Sequence, residues 1–299
     1  MLQKFDPRNE NIQVNIDGQL YHRDEAKVSV FDSVVQGGDA VWEGLRVYDR
    51  RIFCLTEHLD RLRESALAMA FTQIPSHEEI TAEIAKTLEA NDMYDEAHIR
   101  LTLSRGRKIT SGMDPRLNQF GPTLIILAEF KKPVYDKSGL KMMTSSIRRP
   151  NPDVVDQKIH NNNLINSILA KIQATACGAD DAIMLDSRGF IAETNATHLF
   201  IVEKGKLSTS QVYACPGGIT RMKVLRLCRE NEIPCHERNI TLAEMYAADE
   251  VFCTGTMGEL APVTEVDGRT IGSGSAGPLC LKLSELYRKL TETEGTVVV

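Results

Sequence analysis

Asp17–Gly18, in NIQVNIDGQLYH, stands between two short apolar stretches and commits the head of the chain to a β-hairpin. Asp267–Gly268, in EVDGRTIG, does the same far downstream. Tight hairpin turns need positive φ, which Asp and Gly accept at little cost. A chain pinned as hairpins at both ends must bury sheet faces, and its intervening segments have to supply the cover.

Those segments mix strand and helix patterns. AVWEGLRVYDRRIFCL reads as a strand pair with a polar turn at Asp49–Arg51. TEHLDRLRESALAMA follows, with Leu59, Leu62, Leu67 and Met69 near helical spacing and Thr56 as the expected cap. Ser76 caps a second helix, SHEEITAEIAKTLEAN. HIRLTLSRG, GPTLIILAEF and LKMMTSSIRR read as strands. A helix is expected to end near Ala176, then hairpins DAIMLDSRGFIAE and HLFIVEKGKLSTS. Another helix starts at Gly217–Gly218 and runs to Ile233–Pro234, Thr241 caps a short one, and DEVFCTGT is a strand. GPLCLKLSELYRKLTE is amphipathic, and the tail EGTVVV is expected to fray. KKPVYDKSG, charged and carrying Pro and Gly, marks a linker at 131–139 between domains 1–130 and 140–299.

The chain has 299 residues, 42% apolar and 25% charged, which suits an ordinary globular protein with a substantial core. Net charge is −6 and the pI is near 5.7, so nucleic acid is not an expected partner. No apolar run is long enough for a bilayer, and MLQKFDPRNENIQV lacks the features of a secretory signal. Seven dispersed cysteines without a C-x-x-C pair read as reduced, buried thiols in the cytoplasm. The seven histidines show no H-x-x-x-H spacing, so no metal is expected.

Three segments carry chemistry. Lys158 sits in DQKIHNNNLINSILAK, after a proline-bearing stretch and before a polar run, His160 to Asn163. A lysine is ordinarily a solvated surface group, but that flank suggests a lined site. Glu193, in GFIAETNATHLF, lies in a strand among apolar neighbours, where a carboxylate must be exposed or partnered. Gly217, Gly218, Ile219 and Thr220 open a basic helix whose unpaired N–H groups suit phosphate. Thr254–Gly255–Thr256 could complete that cradle, and Arg61 of EHLDRL offers a planar fork for a phosphate. An amine for a Schiff base, an acid for a ring nitrogen and an anion cradle are what pyridoxal phosphate requires.

In this combination the chain resembles the class IV, or fold-type IV, pyridoxal-phosphate aminotransferases over nearly its whole length. It is most similar to the branched-chain type, whose F-E-G-x-R-x-Y pattern matches VWEGLRVYD with Trp42 in the aromatic position. The resemblance implies an α+β fold, a smaller N-terminal α/β domain and a larger C-terminal pseudo-barrel domain. It implies pyridoxal 5'-phosphate held covalently by Lys158. Glu193 would meet the ring nitrogen, and Arg61, Gly218, Ile219, Thr220 and Thr256 would hold the phosphate. Trp42, Gly44, Arg100, Asn163, Met257 and Gly258 would surround the substrate. The implied reaction is ping-pong transfer of an amino group between a branched-chain or other apolar amino acid and 2-oxoglutarate, in at least a homodimer. Four residues depart from the family pattern. His98 replaces the tyrosine of Y-x-R, and His198 stands in place of an asparagine. Asn163 occupies a tyrosine's position, and Pro216 replaces a leucine.

Two other enzymes on the same cofactor stay open. A D-amino-acid transaminase could use Arg105, Arg107 and Arg116 of SRGRKITSGMDPR, and an aminodeoxychorismate lyase could use the same lysine. A non-enzymatic anion-binding module would need GGITR alone.

Overall fold

The computed structural model describes residues 3–299, which divide into two compact units. The first comprises 3–132, Ile159–Asn163 and Thr291–Val299; the second comprises Pro133–Lys158 and Leu164–Leu290.

The first unit contains β1 (Gln13–Ile16), β2 (Gln19–His22), α1 (Ser33–Gly37), β3 (Ala40–Tyr48), β4 (Arg51–Ile52), α2 (Leu55–Ala68), α3 (His77–Glu89), β5 (Ala97–Ser104) and β6 (Thr123–Phe130). Its antiparallel sheet runs terminal strand Thr296–Val297, then β4, β3, β5, β6, β1, β2. Asp17 (φ 50°) and Gly18 (φ 79°) make the expected turn. Val41, Leu45 and Val47 of β3 join Leu59 and Leu62 of α2 and Ile80 and Ile84 of α3 in one core. Alternation along a strand puts odd-numbered residues of β3 on this face, so Glu43 points the same way.

Two expectations fail here, the Thr56 cap and the frayed tail. Thr56 does not cap α2; Cys54, in the left-handed region at φ 58°, is the N-cap, and its side chain makes no capping hydrogen bond. Leu67 is 55% exposed, because the helical stripe that faces the sheet ends at Leu62 and Ala66. The tail is not frayed: Thr296 pairs with Ile52 and Val297 with Arg51, while Val298 and Val299 pack on the core. β-Branched residues at the end of the chain close a sheet edge that β4 would otherwise leave open. Ser76 does cap α3, in a full capping box with Glu79.

The second unit contains β7 (Leu140–Thr144), α4 (Ile165–Ala176), β8 (Asp181–Leu185), β9 (Ile191–Thr194), β10 (His198–Glu203), β11 (Lys206–Thr209), α5 (Ile219–Glu230), β12 (Cys235–Glu237), α6 (Leu242–Tyr246), β13 (Glu250–Gly255), β14 (Glu259–Val266), β15 (Arg269–Thr270) and α7 (Pro278–Thr293). The sheet order is β12, β11, β10, β13, β14, β7, β8, β9, with β15 on β14. β7 and β8 are parallel, as are β11 and β12 and also β14 and β7; the remaining neighbours are antiparallel. Parallel neighbours need a crossover. α5 lies in the one from β11 to β12, and the one from β7 to β8 carries both Lys158 and α4. Thr241 caps α6 in a capping box, as its sequence indicates. No disulfide joins the seven cysteines among the described residues; five are buried, whereas Cys177 is exposed and Cys235 half-buried.

Candidate active site

In the second unit, β9 ends at Glu193 and Thr194, and Glu193 is 3% exposed. It therefore belongs to the buried side of its strand, not to a solvent face. Burying a lone carboxylate is costly, and its compensation is visible. Arg149 Nη2 lies 3.0 Å from Glu193 Oε1 and donates to the Thr194 carbonyl at 2.9 Å. His198, opposite Thr254 at the head of β10, places Nε2 3.9 Å from Glu193 Oε2.

The same histidine explains a glycine. A Cβ on Gly218 would lie 2.2 Å from His198 Cδ2 and 2.4 Å from Nε2, so no larger residue fits beside that ring. Gly218 is the N-cap of α5 and no side chain caps the helix. The first-turn N–H groups of a 12-residue helix are thus presented without a side-chain acceptor. Ile219 and Thr220, the first two helical residues, are each 4% exposed.

Lys158 is exposed, in the turn after the proline-bearing stretch, with its N–H bonded to Asp156 Oδ1 at 2.9 Å. Its charge is felt nearby. Burial first, and then the Glu193 charge, raise the Cys215 thiol against the pull of Arg221, Arg149 and Lys158. Glu193 and the α5 N-terminus meet through His198. Thr256, Met257 and Gly258 form the turn between β13 and β14, closed by Gly258 N–H to Gly255 O at 3.2 Å. A Cβ on Gly258 would meet Tyr135 Cδ2 at 2.1 Å, and Met257 O accepts from Val134 N–H at 3.1 Å.

In the first unit, β3 pairs with β5 so that Trp42 faces Thr102, Gly44 faces Arg100 and Arg46 faces His98. These residues share the sheet face turned away from the apolar core. Arg100 stacks 3.4 Å above the Trp42 ring and donates to Asn162 Oδ1 at 3.1 Å. Burial lowers it to about 10, against the attraction of Glu43. His98 is pushed to about 3 by burial and then by Lys131, Arg46 and Arg100, so it is neutral over the ordinary pH range. A Cβ on Gly44 would come 3.3 Å from His98 Nε2. Arg46, 5% exposed, has Nε and Nη1 without a hydrogen-bond partner among the described residues. Asn163 is exposed; its N–H bonds Asn161 Oδ1.

On the opposite face, Arg61 meets Glu43: Nε donates to Oε1 at 2.8 Å and Nη2 to Oε2 at 2.6 Å. His58 Nδ1 lies 2.6 Å from Oε2 and His160 Nδ1 lies 3.1 Å from Oε1. Sequence reasoning singled out Arg61 and passed over Glu43, His58 and Arg149. The signal for Glu43 was available, as an acid in phase with Val41, Leu45 and Val47. Arg149 lies in an irregular segment, where periodicity is silent.

The profile described as amino-transferase class IV matches residues 40–266. The chain is 50% identical, over 98% of its length, to branched-chain-amino-acid aminotransferase-like protein 2 of Arabidopsis thaliana. It spans about half of that relative, 52%. It is 38% identical to a putative branched-chain-amino-acid aminotransferase of Methanocaldococcus jannaschii, covering 96% of this chain and 99% of the relative. Among solved structures, the branched-chain amino acid aminotransferase of Thermobaculum terrenum in its PLP form is similar at TM-score 0.85 and 27% identity, over 94% of both chains.

Proposed function

The chain belongs to the class IV aminotransferase family and has its α+β, type IV fold, and on that premise we propose that it is a pyridoxal-phosphate-dependent transaminase. Its substrates are a branched-chain or other apolar amino acid and 2-oxoglutarate. The observation that carries the reading is the glycine-led N-terminus of α5, without a side-chain cap, linked through His198 to the buried Glu193. With Lys158, these residues fit the cofactor: an anion cradle, an acid for a ring nitrogen and an amine.

The bound cofactor supplies an electron sink for the pair left on the substrate's Cα. Lys158 would be the covalent anchor and, with its amine free, the base that takes the Cα proton and the acid that delivers it to C4′ of the cofactor. Glu193 would meet the ring nitrogen of the bound cofactor, and its own buried charge is compensated by Arg149 at 3.0 Å. Gly218, Ile219 and Thr220, with Thr256 and Arg61, hold the phosphate. Trp42, Gly44, Arg100 and Asn163 bind substrate together with Met257 and Gly258, with Arg100 opposite a carboxylate. Residues 140–299 would be the cofactor-binding domain, joined through the linker 131–139 to the N-terminal α/β domain 1–130.

The protein works as a homodimer. α4 supports this: Ile165, Ile168, Leu169 and Ile172, at helical spacing, are all 40% exposed or more. The compartment we propose is the cytoplasm, in keeping with dispersed cysteines that form no disulfide among the described residues.

The test is a substrate panel of L-amino acids, D-amino acids and aminodeoxychorismate with the purified protein and pyridoxal phosphate. L-Leucine, L-isoleucine or L-valine should turn over with 2-oxoglutarate, and Lys158→Ala should abolish both turnover and the cofactor's near-visible absorbance. Turnover of D-alanine and D-glutamate alone would reverse the substrate assignment.

A further inference from the structure

Glu43 is 0% exposed and accepts four hydrogen bonds, two at each oxygen. Two separate pieces of chain supply the donors: His58 and Arg61 come from α2, and His160 from the short segment Ile159–Asn163, which packs in the first unit. That segment is held at further points. His160 N–H donates to Ser65 Oγ at 3.0 Å, and Trp42 N–H donates to His160 O at 3.0 Å. His160 Nδ1 also lies 2.6 Å from Trp42 O. Both neighbours of Nδ1 are oxygens that only accept, so Nδ1 carries the proton. Burial and the Arg61 charge lower His160 against the pull of Glu43. Burial alone would raise Glu43, but the His160 and Arg61 charges and hydrogen bonds outweigh it and hold the carboxyl well below the usual range.

The guanidinium is planar and offers two forked edges. Arg61 gives its Nε–Nη2 edge to Glu43, which fixes the plane of the group and turns the Nη1–Nη2 edge in one set direction. We infer that Glu43 is a positioning residue: it holds Arg61 in the orientation that grips the cofactor phosphate, and ties that grip to the segment directly after Lys158. This rests on the reading of the protein as a pyridoxal-phosphate enzyme. It adds a residue that touches neither cofactor nor substrate.

The chemistry of the quartet shows which substitution is informative. Every group around Glu43 donates, so the site demands an acceptor at both ends. Glutamine has nearly the same shape but carries an NH2 at one end. Whichever end that is, an Arg61 N–H meets an N–H, since Arg61 bonds both oxygens. A histidine could answer by changing tautomer, but an arginine has no acceptor form. Glu43→Gln therefore frees Arg61 without opening a cavity.

The experiment measures dissociation constants of pyridoxal phosphate and of phosphate-free pyridoxal for four full-length proteins: wild type, Glu43→Gln, Arg61→Gln and the double variant. Glu43→Gln should weaken pyridoxal phosphate by about ten-fold or more, as expected for loss of an oriented charged contact, while pyridoxal stays within roughly two-fold. In the Arg61→Gln background the second substitution should add nothing. Equal weakening of both ligands, unchanged phosphate-ligand affinity in Glu43→Gln, or a full additional loss in the double variant would each overturn the inference. Should Glu43→Gln not fold, Glu43→Asp withdraws the carboxylate by one methylene and supplies the same comparison. Failure of the wild type to bind pyridoxal phosphate would instead remove the functional reading on which the inference rests.

Discussion

His98 is 9% exposed and faces Arg46 across the strand pair. Its folded-state value, about 3, lies below the ordinary 6.5. As pH falls through 6.5 the unfolded chain takes up this proton and the folded chain does not. The associated stability is complete above 6.5 and declines as pH drops toward 3. By about pH 5 the loss is about 2 kcal/mol. Thermal melts at about pH 7.5 and about pH 5 should show this decline in the wild type and a flatter dependence in His98→Tyr, which returns the family's residue. A second residue-scale prediction concerns the cradle. Gly218→Ala must push against the His198 ring and should cost about 1–3 kcal/mol of thermal stability. His198→Ala in the same chain should recover most of it; a Gly218→Ala penalty unchanged in that background would count against the ring as cause. Lys158 and Glu193 were legible as residues because each breaks the pattern around it. The full Glu43 quartet was not: the acid itself breaks an apolar phase, but His160 bonds it from 117 positions away in sequence, and no local pattern reports that partner.

Where turn and cap chemistry is local, elements were read correctly. Asp17–Gly18, Asp267–Gly268, Ser76 and Thr241 all act as their side chains and φ preferences require. Removing the α3 box with Ser76→Ala should cost about 1 kcal/mol, seen as a lower urea midpoint with an unchanged slope. Thr56 was misread because the start of α2 is set by the backbone leaving β4 through Cys54 in the left-handed region, not by a hydroxyl. The terminal strand was misread for a similar reason. A tail looks frayed until the edge that it pairs with is known, and that edge is Arg51–Ile52, about 245 residues earlier.

At the scale of the whole molecule, family membership followed from motifs spread over nearly the full chain, and the fold came with it. The proposed assembly rests on the exposed apolar stripe of α4. Ile168→Glu with Ile172→Glu puts two charges on an already exposed stripe, so a monomer should fold unchanged. Sedimentation should then report the mass of one chain where the wild type gives two; a wild-type monomer would remove the dimer proposal.

The membership of the first unit bears on the order in which the protein can be made. Its sheet includes Thr296–Val297 and its core includes Val298 and Val299, yet most of the unit is synthesised before residue 133. The early strands must therefore wait, with one edge unpaired, while more than half of the chain emerges. Long-range closure of that kind is slow and leaves an aggregation-prone edge during translation. The Thr296–Val297 strand acts as a latch that can be set only after the whole of the second unit has been synthesised.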